Sequence, residues 1–314
     1  MSAPATPTVQ SGAATPTLAD LAKIVELRTK IVSMSSLAIG TLWAAAGGAF
    51  SWLTFALMLA ATLCVDLATA GFNSYYDHRH GVDTRETDVD GYKVLVHRAI
   101  DPRIALRTGF ALFLLAAIFG LALGARVGWE VVGVGVVCML IAWSYSGGPF
   151  PLSRLPVGEV FAGGAMGVVL TALAAYVQTG AVDARTVALG FPAAFLIAAI
   201  LAANNACDRV GDAAAGRRTL AIVVGERTAA RIVEALVGTG YALAFALAFA
   251  GVLPWFAAVP LAAAAVVSAR MLAAMRARGY AHRTKSPSMA GISIIFIAYT
   301  ASVAGSLAFR LLRN

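Results

Sequence analysis

Nine apolar stretches, at residues 30–49, 52–74, 103–124, 128–146, 158–177, 185–205, 229–250, 253–273 and 289–309, make up most of the chain. Each comes close to the roughly 20 residues an α-helix needs to cross the hydrocarbon core of a bilayer. Composition agrees: 60% of the 314 residues are hydrophobic and 13% are charged, whereas an ordinary soluble domain is about 25% charged. The predicted class is all-α, a polytopic membrane protein with nine transmembrane helices in one unit spanning residues 20–314. Residues 1–19 are rich in Ala, Pro, Thr and Ser and contain no Lys or Arg. They lack the charged and apolar regions of a signal peptide and read as a disordered polar tail.

The formal net charge of +8 would point to nucleic acid in a soluble protein. In a membrane protein it points instead to topology or to phosphate. If the helices alternate in direction, all but four of the 24 Lys and Arg fall on one side, the exceptions being Arg126, Arg185, Arg310 and Arg313. By the positive-inside bias, the N-terminus and the long polar connections at 75–102, 147–157, 206–228 and 274–288 are cytoplasmic. The C-terminus is then outside, and the membrane is the cell's inner, or plasma, membrane. The partners expected are a lipid bilayer and a phosphate-bearing substrate, with no nucleic acid. Cys64, Cys138 and Cys207 have no paired spacing and read as small core residues.

Two polar clusters sit at cytoplasmic helix ends. In the first, Asn73 and Asp77 lie one turn apart and Asp66 lies within about 20° of Asn73 on the same helical stripe. Gly81 lets the chain turn so that Asp83 comes back toward them. In the second, Asn205, Asp208 and Asp212 again share one face. Either cluster alone could be a solvated helix end, but carboxylates at a membrane boundary are costly without a partner, and two matching sets make chance a poor account. Oxygen-only ligands favour a hard cation, and so few carboxylates suit Mg²⁺ shared with substrate phosphates. His78, His80, His97 and His282 have no zinc-ligand spacing. Nearby cations, Arg79, Lys93, Arg98, Arg217 and Arg218, suit phosphate oxygens. Lys93 and Arg98 stand out because they follow the acidic run Asp83, Glu86, Asp88, Asp90. The turn Tyr145-Ser-Gly-Gly-Pro149 ends a helix at the same face and brings a phenol to it.

These clusters in this helical setting resemble the UbiA superfamily of intramembrane prenyltransferases, whose two aspartate-rich motifs hold a prenyl diphosphate through Mg²⁺. Asn73-x-x-x-Asp77-x-x-x-Gly81-x-Asp83-Thr84, Tyr145-Ser-Gly-Gly-Pro-x-Pro151-Leu152, Tyr176-x-Gln178-Thr-Gly180 and Asn204-Asn205-x-x-Asp208-x-x-x-Asp212-x-x-x-Gly216-x-Arg218-Thr219 look like the 1,4-dihydroxy-2-naphthoate polyprenyltransferase branch of menaquinone synthesis. Three positions depart from that branch: Ser74 replaces an acid, Cys207 an arginine, and Phe150 a lysine.

The resemblance implies a bundle around a central cavity open to the inner leaflet, with Mg²⁺-dependent transfer of a prenyl group to an aromatic acceptor. It implies Asp77, Asp83, Asp208 and Asp212 as metal ligands. Asn73, Asn205, Lys93, Arg98 and Arg218 are then expected to bind the diphosphate, with Tyr145 and Asp66 as catalytic residues, Tyr145 near the diphosphate and Asp66 as general base for the acceptor. The departures leave open a terpene cyclase or a prenyltransferase for a specialised-metabolite acceptor. A non-enzymatic transporter is the other alternative, although its acids belong at the midplane rather than at helix ends.

Overall fold

The computed structural model describes residues 15–27, 30–85, 92–98 and 100–313. Arg28, the acids Glu86, Asp88 and Asp90, and residues 1–14 of the expected tail lie outside the described residues. From Thr17 onward the chain is helical: the Thr17 side chain caps α1 (Leu18–Ile24), and Asp20 completes a capping box. The elements that follow are α2 (Ile31–Ala46), α3 (Trp52–Arg79), α4 (Val94–His97), α5 (Arg103–Val127) and α6 (Glu130–Ser146). After a 3₁₀ turn come α7 (Gly158–Gly163), a π-helical turn at Gly164–Val169, α8 (Leu170–Thr179), α9 (Ala184–Ala214) and α10 (Leu220–Val224). The chain ends in α11 (Glu226–Phe249), α12 (Ala258–Arg278) and α13 (Lys285–Arg313).

Each of the nine apolar stretches forms a helix, and the nine helices differ in length. Among the described residues seven helices are long and apolar enough to cross a membrane, while Ile31–Ala46 and Glu130–Ser146 are shorter. At a rise of 1.5 Å per residue, α2 and α6 reach only about 24–26 Å, short of the roughly 30 Å hydrocarbon core. Conversely, α3 and α9 outrun their apolar segments. No Gly–Pro break follows Asn73 or Asn205, so the helices continue through the acidic motifs to Arg79 and Ala214.

The bundle has two unlike halves. α9 is its axis, with 67% of its apolar window buried, more than any other span. On one side it packs with α11, α12 and α13 into a dense core containing Leu196, Val233, Tyr241, Phe296 and Tyr299. The interface with the preceding segment depends on missing side chains: a Cβ on Gly167 would fall 2.3 Å from the Ala194 Cα. On the other side of α9 the helices stand apart. A cavity of about 590 Å³ opens there, walled by α2, α3, α5, α6, α7, α8 and α9. Cys207 is buried in the core as expected, but Cys138 lines this cavity instead, and Cys64 is only half-buried.

A separate apolar cluster lies at the polar end, where Ile24 and Val25 pack on Val94, Leu95 and Ile100. It clamps α1 against α4. The Ser74 hydroxyl donates to the Ile24 carbonyl at 2.8 Å, and Arg98 pairs with Asp20 at 2.5 Å.

Candidate active site

The first motif is built by the end of α3. Gly81 adopts φ +67°, a conformation strained for other residues, and the turn it makes lets the amides of Val82 and Asp83 donate to the Asp77 carbonyl at 2.9 and 3.3 Å. Asp83 is thereby folded back beside Asp77. Burial pushes the Asp83 carboxyl above the usual carboxylate range, and the nearby Asp77 charge adds to this against the pull of Lys93. Lys93 lies 3.4 Å from Asp83 and 3.0 Å from Glu26. Burial alone would lower its pKa, but the carboxylates of Glu26, Asp83 and Asp77 hold it above the usual lysine value.

Arg217 joins the two motifs. It follows the end of α9, and its guanidinium reaches Asp77 at 2.5 Å and Asp212 at 3.2 Å. Its side chain is 12% exposed. Burial would depress its pKa, but the two carboxylates more than offset that. Asp208, one turn before Asp212, is held separately by α13 and its approach, with Lys285 at 2.5 Å and His282 at 3.4 Å. Cations gather here as well as acids: burial, followed by Arg154, Arg79 and Arg217, holds the imidazole of His80 below its ordinary value.

Asn73 accepts a hydrogen bond from Ser146, while Asn205 donates through Nδ2 to Glu159 at 2.9 Å. Tyr145 and Asn73 line the cavity, as do Asn204 and Asp66. Asp66 lies two turns deeper than Asn73, bonded to Lys30 at 2.9 Å and to the Ser33 hydroxyl.

Not every expected residue is at this point. Arg98 is half-exposed and pairs with Asp20. Arg218 is exposed, its backbone amide donating to the Arg154 carbonyl at 2.8 Å, and its neighbour Arg217 holds the inner position instead. Nor do Asp77, Asp83, Asp208 and Asp212 form one acidic nest: among the described residues no three His, Cys, Asp or Glu are grouped to hold a metal. Each of the four carboxylates instead meets Lys93, Arg217 or Lys285. The donor set nevertheless fits a hard dication. Carboxylate oxygens from both motifs converge on the position of one cation, and the Asp212 Oδ2 atom is buried without a hydrogen-bond partner.

Five contributors were not singled out from sequence: Glu26, Lys30, Ser33, Glu159 and Lys285. The signal that could have found Glu159 is its position as an acid opening an otherwise apolar segment.

The sequence profile of the UbiA prenyltransferase family matches residues 33–298. The chain belongs to this family. It is 33% identical over 204 residues to the 1,4-dihydroxy-2-naphthoate octaprenyltransferase of Bacillus subtilis (strain 168), a match spanning 65% of each chain. It is 29% identical over 270 residues to the protein of the same name from Mycobacterium tuberculosis (strain ATCC 25618 / H37Rv), spanning 83% of this chain and 89% of that one. Among solved structures, a UbiA homologue from Aeropyrum pernix K1 superposes with a TM-score of 0.65 at 20% identity, covering 85% of this chain and 96% of that one. A second homologue, from Archaeoglobus fulgidus and bound to dimethylallyl diphosphate and Mg²⁺, gives 0.62 at 17% identity, covering 92% and 99%. The UbiA-type bundle expected from the motifs is therefore the fold of this chain, and its apolar helices make it a multi-pass membrane protein.

Proposed function

We propose that this UbiA-family protein transfers a prenyl group from a prenyl diphosphate to 1,4-dihydroxy-2-naphthoate, with Mg²⁺, in menaquinone biosynthesis. The observation that carries the reading is the Asp77–Arg217–Asp212 bridge beside Tyr145, which with Asn73 lines an apolar cavity. An ionised head group and a long hydrocarbon chain are the two halves of one substrate, and the bridge and the cavity offer a place for each. The names of the Bacillus and Mycobacterium relatives support the acceptor, and the Archaeoglobus structure supports the donor and the metal.

Asp77, Asp83, Asp208 and Asp212 would hold the divalent ion, with Asn73 and Asn205 as amide oxygen donors. When bound, it neutralises the diphosphate and makes it a better leaving group. Lys93 and Arg217, both positively charged and largely buried, share their carboxylates with the metal and turn toward phosphate oxygens as these arrive. The bond between the allylic carbon and the diphosphate oxygen breaks, and a bond from the electron-rich ring to that carbon forms. Tyr145 faces the cavity where the allylic cation develops and stabilises it with its ring. Asp66, held by Lys30 and Ser33, accepts a proton from the acceptor's hydroxyl as the ring attacks, and returns it when the attacked carbon loses its carboxylate as CO₂, which restores the aromatic ring.

The active-site loops and the N-terminus would face the cytoplasm, with the C-terminus outside the plasma membrane and residues 20–314 working as one unit. Two of the departures from the branch pattern have local explanations: Ser74 docks α1 through Ile24, and Cys207 is buried in the core. Phe150 is 77% exposed. The test is incubation of the purified protein with Mg²⁺, octaprenyl diphosphate and dihydroxynaphthoate, followed by mass spectrometry. A prenylated naphthol product lost in EDTA is expected. A hydrocarbon or terpene alcohol instead would mean a cyclase, and no turnover with any acceptor would overturn the enzyme reading.

A further inference from the structure

Glu159 opens α7 and is 4% exposed, an ionisable side chain buried in a membrane-embedded bundle. Such a group is costly to keep and needs a reason. Its Oε1 atom accepts from Asn205 Nδ2 at 2.9 Å, while its Oε2 atom is buried with no hydrogen-bond partner. Asn205 is itself 6% exposed and lies on the α9 face that carries Asp208 and Asp212.

The chemistry of this contact fixes more than a distance. An asparagine amide has a donor end and an acceptor end that can exchange places by a flip, and the neighbours decide which way it points. A carboxylate oxygen without a proton can only accept, so the NH₂ end has to face Glu159 and the carbonyl oxygen has to face away from it. A hard dication takes oxygen and has no use for an NH₂ group.

We infer that Glu159 is a positioning residue: it locks the Asn205 amide so that Oδ1 is presented as an oxygen donor to the divalent ion of the second motif. Glu159 touches neither metal nor substrate. This rests on the metal reading above, and it explains why a buried acid is retained where an apolar side chain would pack at lower cost. Partners of this kind, one shell out from a metal, typically contribute about 10–100-fold in metal affinity.

The test uses Mn²⁺ as the probe, titrated calorimetrically into the full-length protein in the presence of an uncleavable prenyl thiolodiphosphate. Glu159→Gln offers Asn205 a donor as readily as an acceptor, so the amide is no longer locked one way round and Mn²⁺ binding should weaken by about tenfold. The metal-free melting temperature should stay close to that of the wild type. The exchange Glu159→Gln with Asn205→Asp conserves total charge and places a carboxylate on α9, whose second oxygen faces the metal whichever way the glutamine donates. It should restore Mn²⁺ affinity, which a packing role for Glu159 would not allow. Unchanged affinity in Glu159→Gln, or a double variant as weak as the single one, overturns the inference while leaving the metal reading intact. Absence of Mn²⁺ binding in the wild type overturns both.

Discussion

Arg217 holds together two carboxylates that would otherwise repel, and its position predicts how the site responds to a metal. Removing one member of a buried ionic group leaves the others uncompensated, at a cost of about 3–5 kcal/mol; the 22% exposure of the Asp77 side chain places the loss here at or below the low end. Arg217→Met should therefore lower the melting temperature of the metal-free protein by several degrees. Millimolar Mg²⁺ should recover more of the loss than it adds to the wild type, because the dication then replaces the missing guanidinium. Equal Mg²⁺ shifts in the two proteins would show that metal and Arg217 do not share the carboxylates. Asp208 tests the other half of the site. Asp208→Asn keeps the shape and one hydrogen bond to Lys285 but offers a hard dication a poorer ligand. Turnover should fall by orders of magnitude, with partial rescue at high Mg²⁺ and little change in melting temperature. Wild-type activity at limiting Mg²⁺ would reduce Asp208 to an ordinary partner of Lys285.

At the scale of elements, close helix packing sets where the motifs end up. The π-helical turn at Gly164–Val169 and the neighbouring α9 approach each other closely because Gly167 has no side chain to meet Ala194. α2 comes equally close to α8, since a Cβ on Gly40 would lie 2.3 Å from the Thr171 carbonyl oxygen. Gly167→Val forces backbone against backbone, and overpacking of this kind costs about 1–3 kcal/mol. A lower melting temperature in detergent, together with reduced turnover from a displaced Asn205, is the expected pair of outcomes. Loss of neither would mean that the interface can relax. Hydropathy alone made the helices legible, since Trp52 and Arg103 begin α3 and α5 where the apolar stretches begin. It could not say that α2 stops at Ala46, because a 16-residue helix and its flanking turn have the same composition as a 20-residue one. The acids were legible because their spacing along one helix puts them on one face. Their partners were not: Arg217 reaches Asp77 across 140 residues of sequence, and Glu159 reaches Asn205 across 46. Contacts of that kind are fixed by how helices cross, which no local period records.

For the molecule as a whole, the contrast between its packed and open halves is the functional design. α9 buries one face in the α11–α13 core and gives the other to the cavity, so the second motif is anchored on the rigid side of the space it serves. On the proposed function, the open half is where the prenyl chain lies. Gly120 and Gly135 both line the cavity, and a Cβ at either would meet no atom within 4 Å. A side chain at Gly135 would therefore enter open space, leaving the bundle unstrained. Gly135 is ten residues from Tyr145 along α6, which at 1.5 Å per residue puts it about 15 Å from the phenol-bearing end. The hydrocarbon part of dimethylallyl diphosphate spans under about 6 Å, given C–C bonds of about 1.5 Å, and cannot reach that far. An octaprenyl chain must pass it. Gly135→Phe should leave turnover of dimethylallyl diphosphate near wild type. The same change should cut kcat/KM for octaprenyl diphosphate by about tenfold or more, the equivalent of 1–3 kcal/mol of overpacking against the chain. If both donors lose activity alike, the phenyl group has disturbed the site itself. If neither does, the prenyl chain leaves the charged bridge by another route, and the cavity is not its binding place.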